Sequence, residues 1–226
     1  MAKKRNPTNE AATAADRRQQ IRRLAAEMFF DRGYESTTMR QIAARLKVKS
    51  GSLYYHFPDK EQILFDLVAS VLEQLTEGAR QLASREKEYE LKLAAVVVNH
   101  VVLHALRPKE TTLGDTELRS FTGERREANI RLRDEYERFV IDIVEEGERE
   151  GRFDVFDAKL TVYALIAQSS NVGIWYREPG RLTLEQVASV HVGLALRAVA
   201  ADPVAEAEVR RLCDAARAFH AGPSEM

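Results

Sequence analysis

One cysteine, six prolines and eleven glycines occur among 226 residues, and each shortage removes a class of protein. A lone thiol, Cys213, cannot close an internal disulfide, so a secreted, bridge-stapled scaffold is excluded and a reducing cytoplasm fits. The scarcity of proline and glycine excludes collagen-like and low-complexity chains. Long hydrophobic runs are lacking too. The longest, Leu93 to Val98, is far short of the ~20 residues that span a bilayer, so no membrane partner is expected. Met1-Ala2-Lys3-Lys4-Arg5 has the charge of a signal peptide but no apolar stretch behind it. What remains is rich in Ala, Leu, Glu and Arg and 45% hydrophobic, which points to an all-α protein. A chain this long should bury roughly 70% of its unfolded surface, so it needs no metal or disulfide staple. No cofactor is expected.

A formal net charge of −1 hides an asymmetry. Residues 1 to 60 carry 13 Lys+Arg against 6 Asp+Glu, a surplus of +7. The rest carries 21 against 29, a deficit of −8. Two segments of opposite sign suggest a polyanion-facing head and a body that faces something else. Charge alone does not separate that reading from two merely solvated surfaces.

Residues 1–14 read as a basic, aperiodic arm. Ile21, Leu24, Ala25, Met28 and Phe29 then mark one face of a helix that Gly33 is placed to stop. Thr38 with Gln41 is a capping box opening a short helix through Leu46. Lys47-Val48-Lys49 links it to a second short helix from about Ser50 to His56. Pro58 stops that helix, and Asp59 with Gln62 caps a long one. Two short helices and a three-residue link within a basic segment describe a helix-turn-helix, so residues 15–61 form the expected DNA-binding domain. The second helix of such a unit enters the major groove, with its first turn at base edges and flanking groups on phosphates. Leu53 and Phe57 would anchor it inward. Ser50, Gly51 and Ser52 would lie at the groove, small enough for close backbone approach, with Lys49 beside them as a further DNA contact. Tyr54, Tyr55 and His56 would contact phosphates, sugars or a thymine methyl, with a packed core position as the alternative for Tyr54. Lys60, at the next helix N-terminus, would hold a phosphate.

The segment from Ile21 to Leu67 resembles the TetR/AcrR family of transcriptional regulators. The likeness is carried by Thr37-Thr38-Met39-Arg40-Gln41-Ile42-Ala43 and by Gly51-Ser52-Leu53-Tyr54-Tyr55-His56-Phe57-Pro58-Asp59-Lys60. It implies a homodimer with two reading heads on pseudo-palindromic double-stranded operator DNA. It also implies a ligand-binding helical body, and it makes Arg40 a groove contact, with Thr38 among the DNA-binding residues. The family usually has glycine where Lys47 stands, so a left-handed Lys47 would carry strain on the order of 1 kcal/mol.

Residues 62–226 form the expected effector-binding and dimerisation domain. Helices are expected near 90–106, 115–122, 124–149, 157–176, 183–201 and 204–219, punctuated by Pro108, Gly114, Gly123, Gly151, Pro179-Gly180 and Pro203. The first is apolar almost all round, so it belongs mid-bundle and can wall a cavity. His100 and His104 lie four apart on it beside Asn99. No nearby Cys or acidic pair completes a metal site there, so these side chains are expected at the polar edge of an effector pocket. Gln168, Asn171 and Trp175 are further effector candidates, with Trp175 sealing a helix end as the alternative. The stretch from Trp175-Tyr176-Arg177 to Leu182-Thr183 is similar to TetR-type regulators of fatty-acid and steroid breakdown, many of which release DNA on binding acyl-CoA thioesters. That similarity implies an apolar or acyl-CoA effector, with Arg177 and Arg181 at the pocket mouth. Leu184, Val187, Ala188, His191 and Ala195 form a stripe that Val190 and Leu194 widen, so helix 183–201 needs two partners. The second would be the same surface, with helix 157–176, in another subunit.

The leading expectation is therefore a cytoplasmic, ligand-responsive repressor and not an enzyme. An architectural DNA binder without effector is the first alternative. Catalysis is the second, weakened because Cys213 has only His220 near it and no phosphate loop or G-x-S-x-G motif occurs.

Overall fold

The structure, a computed structural model, describes residues 7–199 and 205–221, with side chains from residue 16 onward except at residue 206. The described residues form eleven α-helices and one 3-10 turn, with no strand. The head comprises α1 (Pro7–Arg32), α2 (Met39–Arg45) and α3 (Ser50–His56), followed by α4 (Lys60–Ala83). The body adds α5 (Tyr89–Leu106), α6 (Pro108–Thr116), a 3-10 turn (Leu118–Ser120), α7 (Gly123–Arg149), α8 (Ala158–Ser170), α9 (Val172–Trp175), α10 (Leu184–Ala198) and α11 (Glu206–Ala221).

Local chemistry sets these bounds. The Thr38 hydroxyl accepts from the Gln41 amide (3.3 Å) while the Gln41 side chain accepts from the Thr38 amide (2.8 Å), so both halves of the capping box form. Thr183 and Gln186 form the same box at α10, and the Asp59 carboxylate caps α4 by accepting from the Gln62 amide (2.7 Å). Gly33, at φ 87°, turns the chain out of α1. Lys47 does stand left-handed, at φ 56°, so the link keeps a glycine's geometry without glycine.

Three expected boundaries differ. Helix α1 begins at Pro7, so part of the supposed arm is helical; residues 1–6 lie outside the described residues. The helix expected at 115–122 starts instead at Pro108, because proline's fixed φ and missing N–H suit the first helical turn. The helix expected over 157–176 breaks at Asn171 into α8 and α9. Gly173 then lets α9 approach α5 and α6 closely: a Cβ there would lie 3.1 Å from the His104 carbonyl and 3.3 Å from the Thr111 hydroxyl.

Helix α5 is the axis of the body. It has the length and hydropathy of a membrane span, yet α4, α7, α8, α10 and α11 cover it. Most of its residues from Leu93 to His104 are buried, so its apolar surface is spent inside the protein. Helix α6 packs on α1 as well as on α4, and α4 runs unbroken from the head into the body.

Candidate DNA-reading face and effector cavity

Helix α3 is held by one side and open on the other. Leu53 and Phe57 are fully buried against the head core of Ile21, Ala25, Phe29, Ile42 and Leu64. Burial of this kind contributes roughly 1.5–3 kcal/mol per large apolar side chain. Ser50, Gly51 and Ser52 are exposed, and no atom lies within 4 Å of a Cβ built on Gly51. Tyr55 is 85% exposed and Tyr54 53%, so Tyr54 is no core residue. Tyr55 meets His56 edge-on at 5.2 Å. Arg40, Lys49 and Thr38 are exposed on the same helix-turn-helix unit, although the Thr38 hydroxyl is already used in its cap.

Lys60 is engaged differently from expectation. Its ammonium donates to the carbonyls of Tyr34 (3.0 Å) and Glu35 (3.3 Å) and sits 4.2 Å over the Tyr34 ring. It braces the turn between α1 and α2. The α4 N-terminus is likewise occupied. Arg125 of α7 makes two 3.0 Å hydrogen bonds to Asp59, one of 3.1 Å to Gln62 and an ion pair of 3.3 Å with Glu61. Glu61 in turn accepts from the Thr122 amide (2.9 Å). The carboxylates and Arg125 thus fill the helix end where a phosphate was expected, and they join head to body. A longer ion pair, Lys109 to Asp31 at 3.7 Å, ties α6 to α1.

The body encloses a polar-edged cavity between α4, α5, α6, α7 and α8. Val68, Val71, Leu72 and Leu75 of α4 form its apolar wall; His100, His104, Tyr136 and Ser170 form its polar one. The His100 ring shares hydrogen bonds with the Tyr136 hydroxyl (2.9 Å) and the Ser170 hydroxyl (3.1 Å). His104 stacks on it at 4.2 Å, donates from Nδ1 to the His100 carbonyl (2.9 Å) and turns Nε2 toward Asp115 (3.6 Å). Burial, then the neighbouring His104 and His191, hold His100 well below the usual histidine range, so it is neutral at pH 7. Burial raises the Tyr136 hydroxyl, which stays protonated.

The cavity is about 30 Å³, room for a water or two rather than a metabolite. Against it lies an open groove of about 390 Å³ lined by Thr112, Thr116, Tyr163, Asn171 and Ile174. Asp115, Glu137, Ile166 and Ser170 border both spaces, so they form the partition.

The effector candidates therefore separate. His100 and His104 line the cavity, and Asn171 lines the groove while donating to the Ala167 carbonyl (3.1 Å). Asn99 faces the other way. It donates to the Leu75 carbonyl (3.0 Å), pairs with His220 (2.9 Å) and lies against Gly78. Adjacent residues on a helix point about 100° apart, so Asn99 cannot share the wall of His100. Gln168 is partly buried with its amide nitrogen unpartnered, away from both spaces. Trp175, Arg177 and Arg181 are exposed and border neither; Arg177 donates to the Tyr176 carbonyl (2.6 Å). Sequence reasoning missed Tyr136, Ser170 and Asp115, which reach the histidines from other helices. No cluster of three metal-ligating side chains occurs among the described residues. Cys213 is buried, and burial pushes its thiol up to about 12, so it is protonated at neutral pH.

A head with an open reading helix joined to a body with an internal cavity has direct counterparts. Residues 21–67 match the family of bacterial regulatory proteins, tetR family, and residues 86–199 match the tetracyclin repressor-like C-terminal domain. The chain belongs to the TetR family. It is a DNA-binding transcriptional regulator, and its curated relatives are regulators as well. One of them, the transcriptional repressor KstR2 of Mycolicibacterium smegmatis, is 30% identical over 80% of this chain and 90% of its own length. The ketosteroid transcriptional regulator KstR2 of Mycobacterium tuberculosis superposes with a TM-score of 0.74 at 25% identity, over 81% of this chain and 94% of that one. AibR, solved with isovaleryl coenzyme A and operator DNA, gives a TM-score of 0.70 at 27% identity, over 79% of this chain and 97% of that one.

Proposed function

We propose that this protein is a cytoplasmic homodimeric repressor, without catalytic activity, that leaves its operator when a small, largely apolar effector enters the body cavity. The observation carrying the DNA half is the exposed row of α3, from Ser50 to Tyr55, opposite a fully buried Leu53. On this reading Arg40, Ser50, Gly51, Ser52, Tyr54 and Tyr55 meet the groove and its base edges, and Thr38, Lys49 and His56 meet the backbone. Residues 15–61 are the working head and 62–226 the body.

The cavity supports the effector half. Its α4 wall is apolar, the neutral His100, Tyr136 and Ser170 cluster faces that wall, and Asp115, Arg133 and Glu137 line its remaining edge, so it suits a hydrocarbon skeleton carrying a carbonyl or hydroxyl opposite His100. Two carboxylates border the partition, which favours a ligand uncharged where it crosses. The similarity to AibR and to KstR2 makes acyl-CoA thioesters and steroid fragments the first compounds to test. An effector must merge cavity and groove, which moves Thr111, Gly114 and Asp115 of α6 against the α4 wall. Both helices reach the head, α6 through α1 and α4 through Asp59 and the link to α3. A ligand favouring the wider cavity thereby favours a different head separation, and two heads that no longer match major grooves ~34 Å apart bind weakly.

The dimer reading rests on exposed apolar side chains of α8, α9 and α10: Leu160, Tyr163, Ile174, Trp175, Val190 and Leu194. The other face of α10 (Leu184, Val187, Ala188, His191, Ala195) is buried in its own subunit, so the exposed side is left for a second copy. Anisotropy titration of the promoter DNA upstream of its own gene, with and without candidate acyl-CoA esters, tests the whole reading. Tight binding relieved by ligand is expected. Affinity that no ligand alters and that salt alone sets would favour the architectural alternative.

A further inference from the structure

Helix α3 has only seven residues, too few to hold itself, and no side chain caps its N-terminus at Lys49. Two inward side chains fix its depth but not its tilt. The remaining constraint comes from α1. Arg18 donates to the His56 carbonyl at the α3 C-terminus (2.6 Å) and to Asp66 of α4 (2.5 Å), and its guanidinium lies 4.2 Å over the Phe57 ring. Asp66 is itself oriented by Gln62, which donates to its other oxygen (2.8 Å). A cation at a helix C-terminus satisfies an orphan carbonyl and complements the dipole. A planar, forked guanidinium holds its donors in fixed directions while its face stacks on a ring, a rigid geometry that an ammonium on a flexible stem does not preset.

We propose that Arg18 and Asp66 are positioning residues for DNA reading, setting the angle of α3 against α1 and α4 without contacting DNA. The inference rests on α3 being the reading helix. Arg18 is partly exposed in a basic head, so the competing role is a phosphate contact.

Asp66 distinguishes the two roles. Asp66→Asn removes a negative charge from α4 beside the head. Simple electrostatics then strengthens DNA binding, whereas loss of a positioning partner weakens it. Operator and random-sequence duplexes should be titrated at several salt concentrations against full-length Arg18→Lys, Arg18→Gln and Asp66→Asn, with Tyr54→Ala/Tyr55→Ala alongside. We expect all three single variants to lose about 10-fold or more for operator, keeping random-sequence affinity and salt slope near wild type. Hydrogen exchange of the 50–57 amides should quicken while the amides of α5 stay protected. Tighter binding by Asp66→Asn, full operator affinity in Arg18→Lys, or parallel losses on both duplexes with a salt slope lower by about one overturns the proposal. Should Arg18→Gln not fold, the Lys and Asn variants decide alone. Normal operator binding by the tyrosine double variant would instead remove the reading-helix assignment itself.

Discussion

Histidine and tyrosine occur together twice, with opposite surroundings. On α3, Tyr54, Tyr55 and His56 stand at the surface of a basic head. In the body, His100, His104 and Tyr136 are buried, stacked and bonded to one another. Under the proposed function the same side chains would serve different partners, because solvent decides what they can offer. At the surface they would present donors and rings to a charged, hydrated polymer whose binding is driven by counterion release. Inside, burial keeps His100 and Tyr136 neutral, so they suit a neutral group on an apolar ligand.

The comparison breaks most sharply at the surface cluster. Tyr54→Ala/Tyr55→Ala should lower operator affinity at least 30-fold, taking roughly 1–3 kcal/mol for each lost base contact, with the dimer mass unchanged. Gel shift and light scattering measure the two, and normal binding would show that these rings do not read DNA. In the buried cluster, Tyr136→Phe strands one nitrogen of His100 and should cost about 1–3 kcal/mol of stability. Calorimetry measures that loss, and ligand titration should show a weaker effector response with operator affinity intact.

Acid offers a third test. His220 is held down to about 4, and His100 and His191 are lowered by burial. Each folded pKa lies below its unfolded value, so their stabilisation is complete above about pH 6.5 and drains away as pH falls toward 4. The slope should approach 1.4 kcal/mol per pH unit for each proton taken up on unfolding. His220→Gln should remove one share of it; a melting temperature flat from pH 7 to 4.5 contradicts the assignment.

Between the two clusters lies Arg125. Arg125→Ala should leave operator affinity within about 3-fold, yet raise the effector concentration for half-release by roughly 10-fold, since it loosens the tie from body to head. Paired titrations with and without effector separate these effects. The smallest change expected is Lys47→Gly, a gain of up to about 1 kcal/mol from relieving a left-handed lysine, read by denaturant melts.

Much of the head was legible because its signals are local. Thr38 with Gln41, Pro58 and the four-residue spacing of Leu53 and Phe57 are all set by neighbours in the chain. Other features were hidden because they depend on distance. The tie from Arg18 to Asp66 spans 48 positions and that from Arg125 to Asp59 spans 66. Asn99 and His100 looked like one cluster in the sequence, yet they face different helices. Pro108 does part α5 from the next helix, but it also opens α6, a start the sequence pattern places at 115 because proline reads more readily as an end than as a beginning.

Composition and spacing alone determined that this chain is helical, that its first sixty residues carry a positive reading unit, and which side of α3 turns outward. Those properties follow from propensity, charge and a 3.6-residue period, none of which needs a partner far along the chain. Tertiary structure alone decided which polar groups share the cavity, that Lys60 and Asp59 are engaged by other parts of the protein, and how the body grips the head. These depend on how helices cross, and packing fixes that only once the whole core has closed.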